Sequence, residues 1–300
     1  MFKLESLAAF ASIAEAGSIT GAARRLGLSK SVISERLVEL ERHLDARLVN
    51  RTTRALQLSE DGAAFYARAK LLLREAEAVA AEIRERRGKL TGPLRISAPV
   101  SFGTLHLAPA LIPFLTQNPG IDLTLDLEDR FVDLLREGYD AVIRHGPVDD
   151  RRIIVKRLTA SRRFLVASPD YLKRCGEPAS LDELEQHRGI IYTYRGAADW
   201  RFRTGRKFVT VQPQSALRVN NGLVMRDAAI GGLGIALLTT FILHQPLRQR
   251  AVKVIDVGAE AEGATIYVAY PQQLRTSAKI RALTACLQES FGSPAYWDQP

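Results

Sequence analysis

Apolar residues recur every three or four positions from the start of the chain, at Leu4, Leu7, Ala8, Phe10, Ala11 and Ala14. This spacing predicts an amphipathic helix, and Gly17 fits its left-handed stop. Ser18 and Thr20 are candidate caps for a second, shorter helix that buries Ala22, Ala23 and Leu26 and ends at Gly27. A third helix is predicted from about Lys30 to Leu44, with Val32, Ile33, Leu37, Leu40 and Leu44 on its apolar face. A short helix, a turn holding a glycine and a second helix make a helix-turn-helix pattern. From Leu48 to Leu58, two short apolar segments flank a polar, basic turn, which predicts a β-wing.

The next segment reads as one long helix. Ser59 is its candidate cap, and Glu60 and Asp61 lie at its positive end. The pattern continues to about Arg87, where Gly88 stops it. Phe65, Ala69, Leu72, Ala76, Val79 and Ile83 alternate spacings of four and three, the seam of a paired helix. About 28 residues at ~1.5 Å each extend ~40 Å, more than a small domain covers, so a partner helix is expected.

Lys89-Leu90-Thr91-Gly92-Pro93 is a breaker-rich hinge, and beyond it strands and helices alternate. Leu94–Ser97 reads as a strand. Leu107, Leu111 and Leu115 mark a helix closed by Asn118-Pro119-Gly120. Ile121, Leu123, Leu125 and Leu127 alternate with polar residues, as in a half-buried strand. A short helix is expected around Val132–Leu135, then a strand over Asp140–Ile143. The series predicts a mostly parallel sheet. A second series follows: strand Phe164–Ala167, the cap Ser168-Pro169, a capping box at Ser180 and Glu183, and strand Ile190–Tyr192. A helix opens at Asn220-Asn221-Gly222 and stops at Gly231-Gly232. Strands over Ile235–Leu238 and Thr265–Tyr270 and a last helix over Ser277–Ser290 complete it.

Charge sharpens the picture. The 300 residues carry a formal net charge of +9, which favours polyanionic partners. Arg24, Arg25, Lys30, Arg36, Arg42, Arg47, Arg51 and Arg54 crowd the helix-turn-helix segment, opposed there by Glu35, Glu39, Glu41 and Asp45. The third helix is placed to enter a DNA major groove, with Lys30, Ser31, Ser34 and Glu35 at its N-terminal end. Lys30 suits guanine acceptors, and Glu35 suits the cytosine amino group. Arg36 and Arg42 are placed for phosphates, and Arg51 and Arg54 for backbone or minor groove from the wing.

The two cysteines, Cys175 and Cys286, form no framework, which points to a reducing compartment. The start of the chain lacks a signal-peptide pattern, and no stretch is long and apolar enough to span a membrane, so a cytoplasmic location is expected. The five histidines show no metal spacing, and there is no nucleophile elbow and no Walker lysine. No metal, no cofactor and no catalytic residue is expected.

From Phe10 to Gly62 the chain resembles the DNA-binding domain of LysR-type transcriptional regulators. The match runs through Gly17-Ser18-Ile19-Thr20-Gly21-Ala22-Ala23-Arg24-Arg25-Leu26, then Ser29, Val32-Ile33-Ser34, Leu37, Leu40-Glu41, Leu44, Leu48, Asn50-Arg51 and Leu58-Ser59-Glu60-Asp61-Gly62. Asp45 stands where a glycine is usual, Val49 where Phe is common, and Lys30 and Glu35 where Gln and Arg are usual. Operator preference therefore does not carry over. The resemblance implies DNA contacts at Lys30, Ser31, Ser34 and Glu35, with wing contacts near Arg54, and Ser18, Thr20, Ser29, Arg36 and Arg51 complete the expected DNA-binding set.

From about Gly92 to Gly292 the chain resembles the LysR effector-binding domain, which is similar to type 2 periplasmic binding proteins. The motifs are Leu94-Arg95-Ile96-Ser97, Asp133-Leu134, Asp140–Gly146, Ala167-Ser168-Pro169 with Tyr171-Leu172, and Gly231–Ala236. The implied fold is an N-terminal all-α winged helix-turn-helix plus linker helix and a C-terminal α/β two-lobed domain. The implied organisation is 1–58 for DNA binding, 59–88 for the linker and 89–300 for the effector-binding domain. Lobe I would take about 91–160 and 266–292, and lobe II about 161–265. Ligands of open α/β sheets bind beyond the strand C-termini. This places effector contacts at Val100, Ser101, Phe102, Arg144, His145, Thr193, Tyr194, Asn220 and Asn221.

Ser101 near a helix start and the fork of Arg144 favour an anionic or aromatic small molecule. The implied partners are promoter DNA, a second copy of the chain (a dimer or tetramer), the effector and RNA polymerase. Two other readings stay open: a solute-binding protein or enzyme on the same fold, and a regulator whose second domain only drives assembly.

Overall fold

The computed structural model describes residues 2–51, 56–85, 89–146, 150–194 and 199–298, with the backbone alone for Arg51, Ala78 and 81–85. Arg54 and Gly88 and the side chains of Arg51 and Ile83 lie outside the described residues. The chain forms two compact units, one up to Gly92 and one from Pro93 onward.

In the first unit, α1 (Leu4–Ala16), α2 (Ile19–Leu26) and α3 (Lys30–Leu44) bury Phe10, Ile13, Ile33, Leu37 and Leu40 completely. Left-handed residues end each helix: Gly17 at φ 63°, Gly27 at φ 64° and Asp45 at φ 48°. A short polar side chain makes this conformation tolerable at Asp45. β1 (Val49–Arg51) and β2 (Leu56–Leu58) pair antiparallel as the wing. Glu41 holds the wing's base, because its Oε1 accepts the N–H groups of Leu48 at 2.8 Å and Val49 at 3.2 Å.

The long α4 (Glu60–Glu85) starts under Ser59, whose Oγ accepts the Gly62 N–H at 2.9 Å. A Cβ at Gly62 would lie 2.0 Å from the Leu48 carbonyl oxygen, so only glycine allows this close approach.

The second unit has two lobes, each built on a five-stranded sheet. Lobe I comprises β3 (Gly92–Ala98), α5 (Val100–Phe102), a π-helical turn (Gly103–Leu107), α6 (Ala108–Gln117), β4 (Ile121–Leu127), β5 (Ala141–His145) and β6 (Ile153–Ser161). Lobe II begins with β7 (Arg163–Ala167), α7 (Pro169–Cys175), α8 (Leu181–Gln186), β8 (Arg188–Tyr192), β9 (Arg201–Thr204), β10 (Lys207–Thr210) and β11 (Gln214–Val219). It continues with α9 (Gly222–Ile230), β12 (Ile235–Thr239), α10 (Thr240–Arg248), β13 (Lys253–Ile255) and β14 (Glu260–Ala261). The chain returns to lobe I through β15 (Ala264–Pro271) and ends on α11 (Ala278–Phe291).

The sheets run β4-β3-β5-β15-β6 and β11-β8-β12-β7-β13, with a small third sheet β10-β9-β14 on lobe II. They are mixed, not mostly parallel. β3 and β5 are parallel, as are β8 and both its neighbours, but β15 is antiparallel to β5 and β6, and β7 to β12 and β13. The reason is the double crossing between lobes: β15 comes back from lobe II and enters the first sheet against the direction of its neighbours.

The helix expected around Val132–Leu135 is a turn instead. Asp133 Oδ1 caps a single turn by accepting the Arg136 N–H at 3.0 Å, and left-handed Gly138, at φ 67°, ends it before a helix can extend.

Candidate functional site

The N-terminal turn of α3 is the candidate nucleic-acid surface. Ser29 Oγ accepts the Val32 N–H at 3.3 Å and lies 2.8 Å from Ser31 Oγ. Ser18 Oγ accepts the Gly21 N–H at 3.0 Å. Both serines are therefore helix caps, which accounts for their residue type before any DNA is considered. Thr20, Lys30, Ser31 and Glu35 are exposed, and Ser34 is half-buried between them. Arg36 is turned back onto α1, 2.6 Å from Glu5, in an exposed pair worth only about 0–1 kcal/mol. Arg25 pairs with Glu15 at 3.0 Å.

The expected helix seam divides in two. Phe65 packs on Phe10 with ring centroids 5.7 Å apart, and Ala69 is fully buried in the core of its own domain. These two positions hold α4 to the three-helix unit. Leu72 and Val79 are exposed by 52% and 54%, and Ala76 is half-buried. The surface left for a partner thus starts at Leu72. Tyr66 also ties α4 down, donating to Glu15 at 3.1 Å; burial and that carboxylate push its pKa up to about 12.

In the second unit a cavity of about 130 Å³ opens between the lobes. Of the nine expected effector contacts, Ser101, Arg144, His145 and Tyr194 line it, and the other five do not. Phe102 is buried beneath, stacked edge-on against Phe241 at 5.2 Å. Val100 contributes its N–H to Asp129 Oδ1 at 3.0 Å. The amide expected to attract an anion is therefore already satisfied. Thr193 is exposed and donates its N–H to the Val219 carbonyl. Asn220 is exposed and donates to the Tyr194 hydroxyl at 3.3 Å.

Asn221 has a different task from the one expected. Its Oδ1 caps α9 by accepting the N–H groups of Leu223 and Val224, and its Nδ2 reaches 3.2 Å across to Asp129 Oδ2. One side chain thus starts a helix of lobe II and straps it to lobe I. Asp129 lines the cavity and was not anticipated. Burial raises its pKa against the opposing pull of Val100, Asn221 and Arg144.

Two buried arginines line the same cavity. Arg163 of β7 donates from Nη1 to the Asp199 carbonyl at 2.9 Å and forms a bidentate grip by pairing Nη2 with the Asp199 carboxylate. The side chains are 5% and 1% exposed. Arg144 of β5 is 9% exposed and, among the described residues, donates to two neutral oxygens, the Ile143 carbonyl and Ser97 Oγ, both at 2.8 Å. Burial lowers its pKa from the usual 12.5.

His145 stacks on Phe241 of α10, centroids 5.3 Å apart, which closes one wall with rings from both lobes. Behind it His106 bridges the Phe241 carbonyl at 2.9 Å and the Tyr296 hydroxyl at 2.5 Å, and burial lowers its pKa. The carbonyl can only accept, so Nε2 carries a proton. Among the described residues no group of His, Cys, Asp and Glu is placed to hold a metal ion, and no helix is long and apolar enough to cross a membrane.

Residues 4–63 match the bacterial regulatory helix-turn-helix protein, lysR family, and residues 87–292 match the LysR substrate binding domain. This chain belongs to the LysR family. It is a DNA-binding transcriptional regulator with an effector-binding domain. Its relatives include an uncharacterized HTH-type transcriptional regulator of Haemophilus influenzae, 31% identical over 95% of this chain and 99% of that protein. An HTH-type transcriptional repressor of Pseudomonas aeruginosa is also 31% identical, over 97% of this chain and 93% of that one. Among solved structures, the full-length virulence activator AphB of Vibrio cholerae superposes with a TM-score of 0.63 at 27% identity, covering 95% of this chain and 98% of AphB.

Proposed function

We propose that this LysR-family regulator reads promoter DNA with Lys30, Ser31, Ser34 and Glu35, as a dimer or tetramer. The observation that carries the reading is the N-terminal turn of α3. It presents a cation, two hydroxyls and a carboxylate, and neither Lys30 nor Glu35 makes an ion pair among the described residues. Four such groups within two turns supply donors and acceptors for base edges. Arg36 reaches a phosphate at the small cost of leaving Glu5, and Arg51 and Arg54 reach the backbone from the wing. Leu72, Ala76 and Val79 form the pairing stripe, with Ile83 continuing it, and a dimer brings two recognition helices to two half-sites.

In the same reading, residues 1–58 bind DNA, 59–88 pair the protomers and 89–300 sense a small molecule, in the cytoplasm. A ligand that prefers one arrangement of the lobes shifts the assembly's population, and with it the DNA geometry offered to RNA polymerase.

The test is fluorescence anisotropy on DNA upstream of the protein's own gene, with excess nonspecific competitor. Wild type is expected to bind tightly and lose affinity steeply with salt. Ser34→Arg is expected to weaken specific binding by about 1–3 kcal/mol and leave nonspecific binding intact. Equal affinity for this fragment, other promoter regions and random DNA would refute the specific reading.

A further inference from the structure

We propose that Val38 is a specificity-determining residue that reads the 5-methyl group of a thymine in each operator half-site. The proposal rests on the reading of α3 as the recognition helix and goes on to name a base that this helix selects.

Val38 lies on α3 and is 54% exposed. In the chain it follows Ser31, Ser34 and Glu35 at the spacings that place residues on one helix face. The set 31, 34, 35 and 38 repeats the spacing by which the third helix of a homeodomain brings side chains to base edges. One turn beyond Val38, Arg42 is exposed and makes no ion pair among the described residues. The stripe therefore runs from two hydroxyls and a carboxylate, which suit base edges, to a guanidinium, which suits a phosphate. Val38 lies between them, where the helix face meets the groove.

Every other residue of that stripe is polar. The apolar residues of α3 that hold the fold together are Ile33, Leu37 and Leu40, all fully buried, and Val38 is outside their cluster. A β-branched side chain is also a poorer helix former than alanine. Folding therefore does not account for a valine at this exposed position, whereas a base contact does. In the major groove, base edges present donors, acceptors and one apolar group, the thymine methyl. An isopropyl group set against a donor or acceptor would dry it without bonding it. Set against a methyl, it removes water from two apolar surfaces at once. Valine in a helix has one strongly preferred rotamer, so little freedom is lost on contact.

Helix geometry also gives the register. At ~1.5 Å per residue Val38 lies ~4.5 Å beyond Glu35 along the axis, against a base-pair step of ~3.4 Å. The thymine is therefore about one or two base pairs from the base that Glu35 reads.

The test uses the full-length protein and two steps. Wild type first selects from a pool of random duplexes. The enriched duplex is then remade with uracil in place of single thymines, a change that removes only the methyl group, and binding is followed by fluorescence anisotropy. One thymine per half-site is expected to be sensitive: its replacement should weaken wild type about fourfold, and replacement in both half-sites about fifteenfold. Val38→Ala should bind the thymine and uracil duplexes alike at that position, and more weakly than wild type binds thymine. Its Tm and the salt dependence of its binding should stay as in wild type, because neither the core nor a phosphate contact is touched. Val38→Thr, which keeps one methyl, should retain part of the discrimination.

Wild type binding uracil and thymine duplexes alike at every position would overturn the proposal and leave α3 as the recognition helix. A uracil penalty that persists in Val38→Ala would assign the methyl to another residue and overturn it as well. Equal weakening of Val38→Ala on selected and random duplexes would make Val38 a structural residue. Enrichment of no motif by wild type would remove the recognition-helix reading itself, and the thymine with it, before any uracil duplex is made.

Discussion

Arg144 and Arg163 line one cavity from opposite lobes, equally buried at 9% and 7% exposure, and their surroundings differ in one respect. Arg163 has the Asp199 carboxylate in direct contact, whereas among the described residues Arg144 bonds to neutral oxygens and feels Glu128 and Asp129 only at longer range. A buried charge with a fitted partner is a structural element, and breaking the pair leaves an uncompensated ion behind. A buried charge whose counter-charges lie farther off is held less firmly, because the attraction falls with distance. Lobe II therefore balances its buried arginine by a direct pair, and lobe I balances its own at longer range through Glu128 and Asp129.

The largest effect expected from this contrast is at the completed pair. Arg163→Ala should cost about 3–5 kcal/mol in urea denaturation, because Asp199 stays buried and charged. Replacing both residues by leucine should cost less than the single change, since no lone charge remains. If Arg163→Ala proved harmless, the two arginines would be alike and the comparison would fail. At the unpaired arginine, Arg144→Gln should change stability by less than about 1 kcal/mol in either direction, measured the same way.

Asn221 sharpens the contrast between the lobes. Asn221→Ala removes the α9 cap and the bond to Asp129 together, and should lower stability by about 1–2 kcal/mol. Asn221→Ser keeps a capping oxygen but cannot reach Asp129, so it should recover the cap's share of that loss alone.

The smallest effect is on pH. His106 has its pKa lowered by burial, so the folded state binds fewer protons than the unfolded chain as pH falls below about 6.5. Its contribution is therefore intact above that value and lost progressively as pH drops toward the folded pKa. The thermal midpoint of wild type should fall across this window, and His106→Gln should make the fall shallower.

The helix-turn-helix was legible in detail. Ser18, Ser29 and Ser59 cap helices where the spacing put them, and Gly17, Gly27 and Asp45 take left-handed turns. Seven strands of the second unit were legible as apolar runs, whereas β6, β9, β10, β11, β13 and β14 were not expected. Ser101, Arg144, His145 and Tyr194, expected as effector contacts beyond the strand ends, line the cavity between the lobes. Asp129, Thr239 and the Arg163–Asp199 pair were missed, because no periodicity or motif marks them. Asn221, expected among the effector contacts, serves as a cap and strap. Phe65 and Ala69 fitted the seam by spacing alone, yet their own domain's core claims them.

The sequence by itself determined the helices of the first unit, their caps, the wing, the main alternation of strands and helices in the second unit, and the family. These depend on interactions within a turn or two, which leave a periodic trace. Only the tertiary structure decided which loop side chains meet. Arg163 finds Asp199 36 residues away, Asn221 finds Asp129 across 92, and His106 finds Tyr296 across 190. Such pairings follow from how two sheets and their crossing strands close around a cavity, and separations of that size carry no repeat that a linear pattern can reveal.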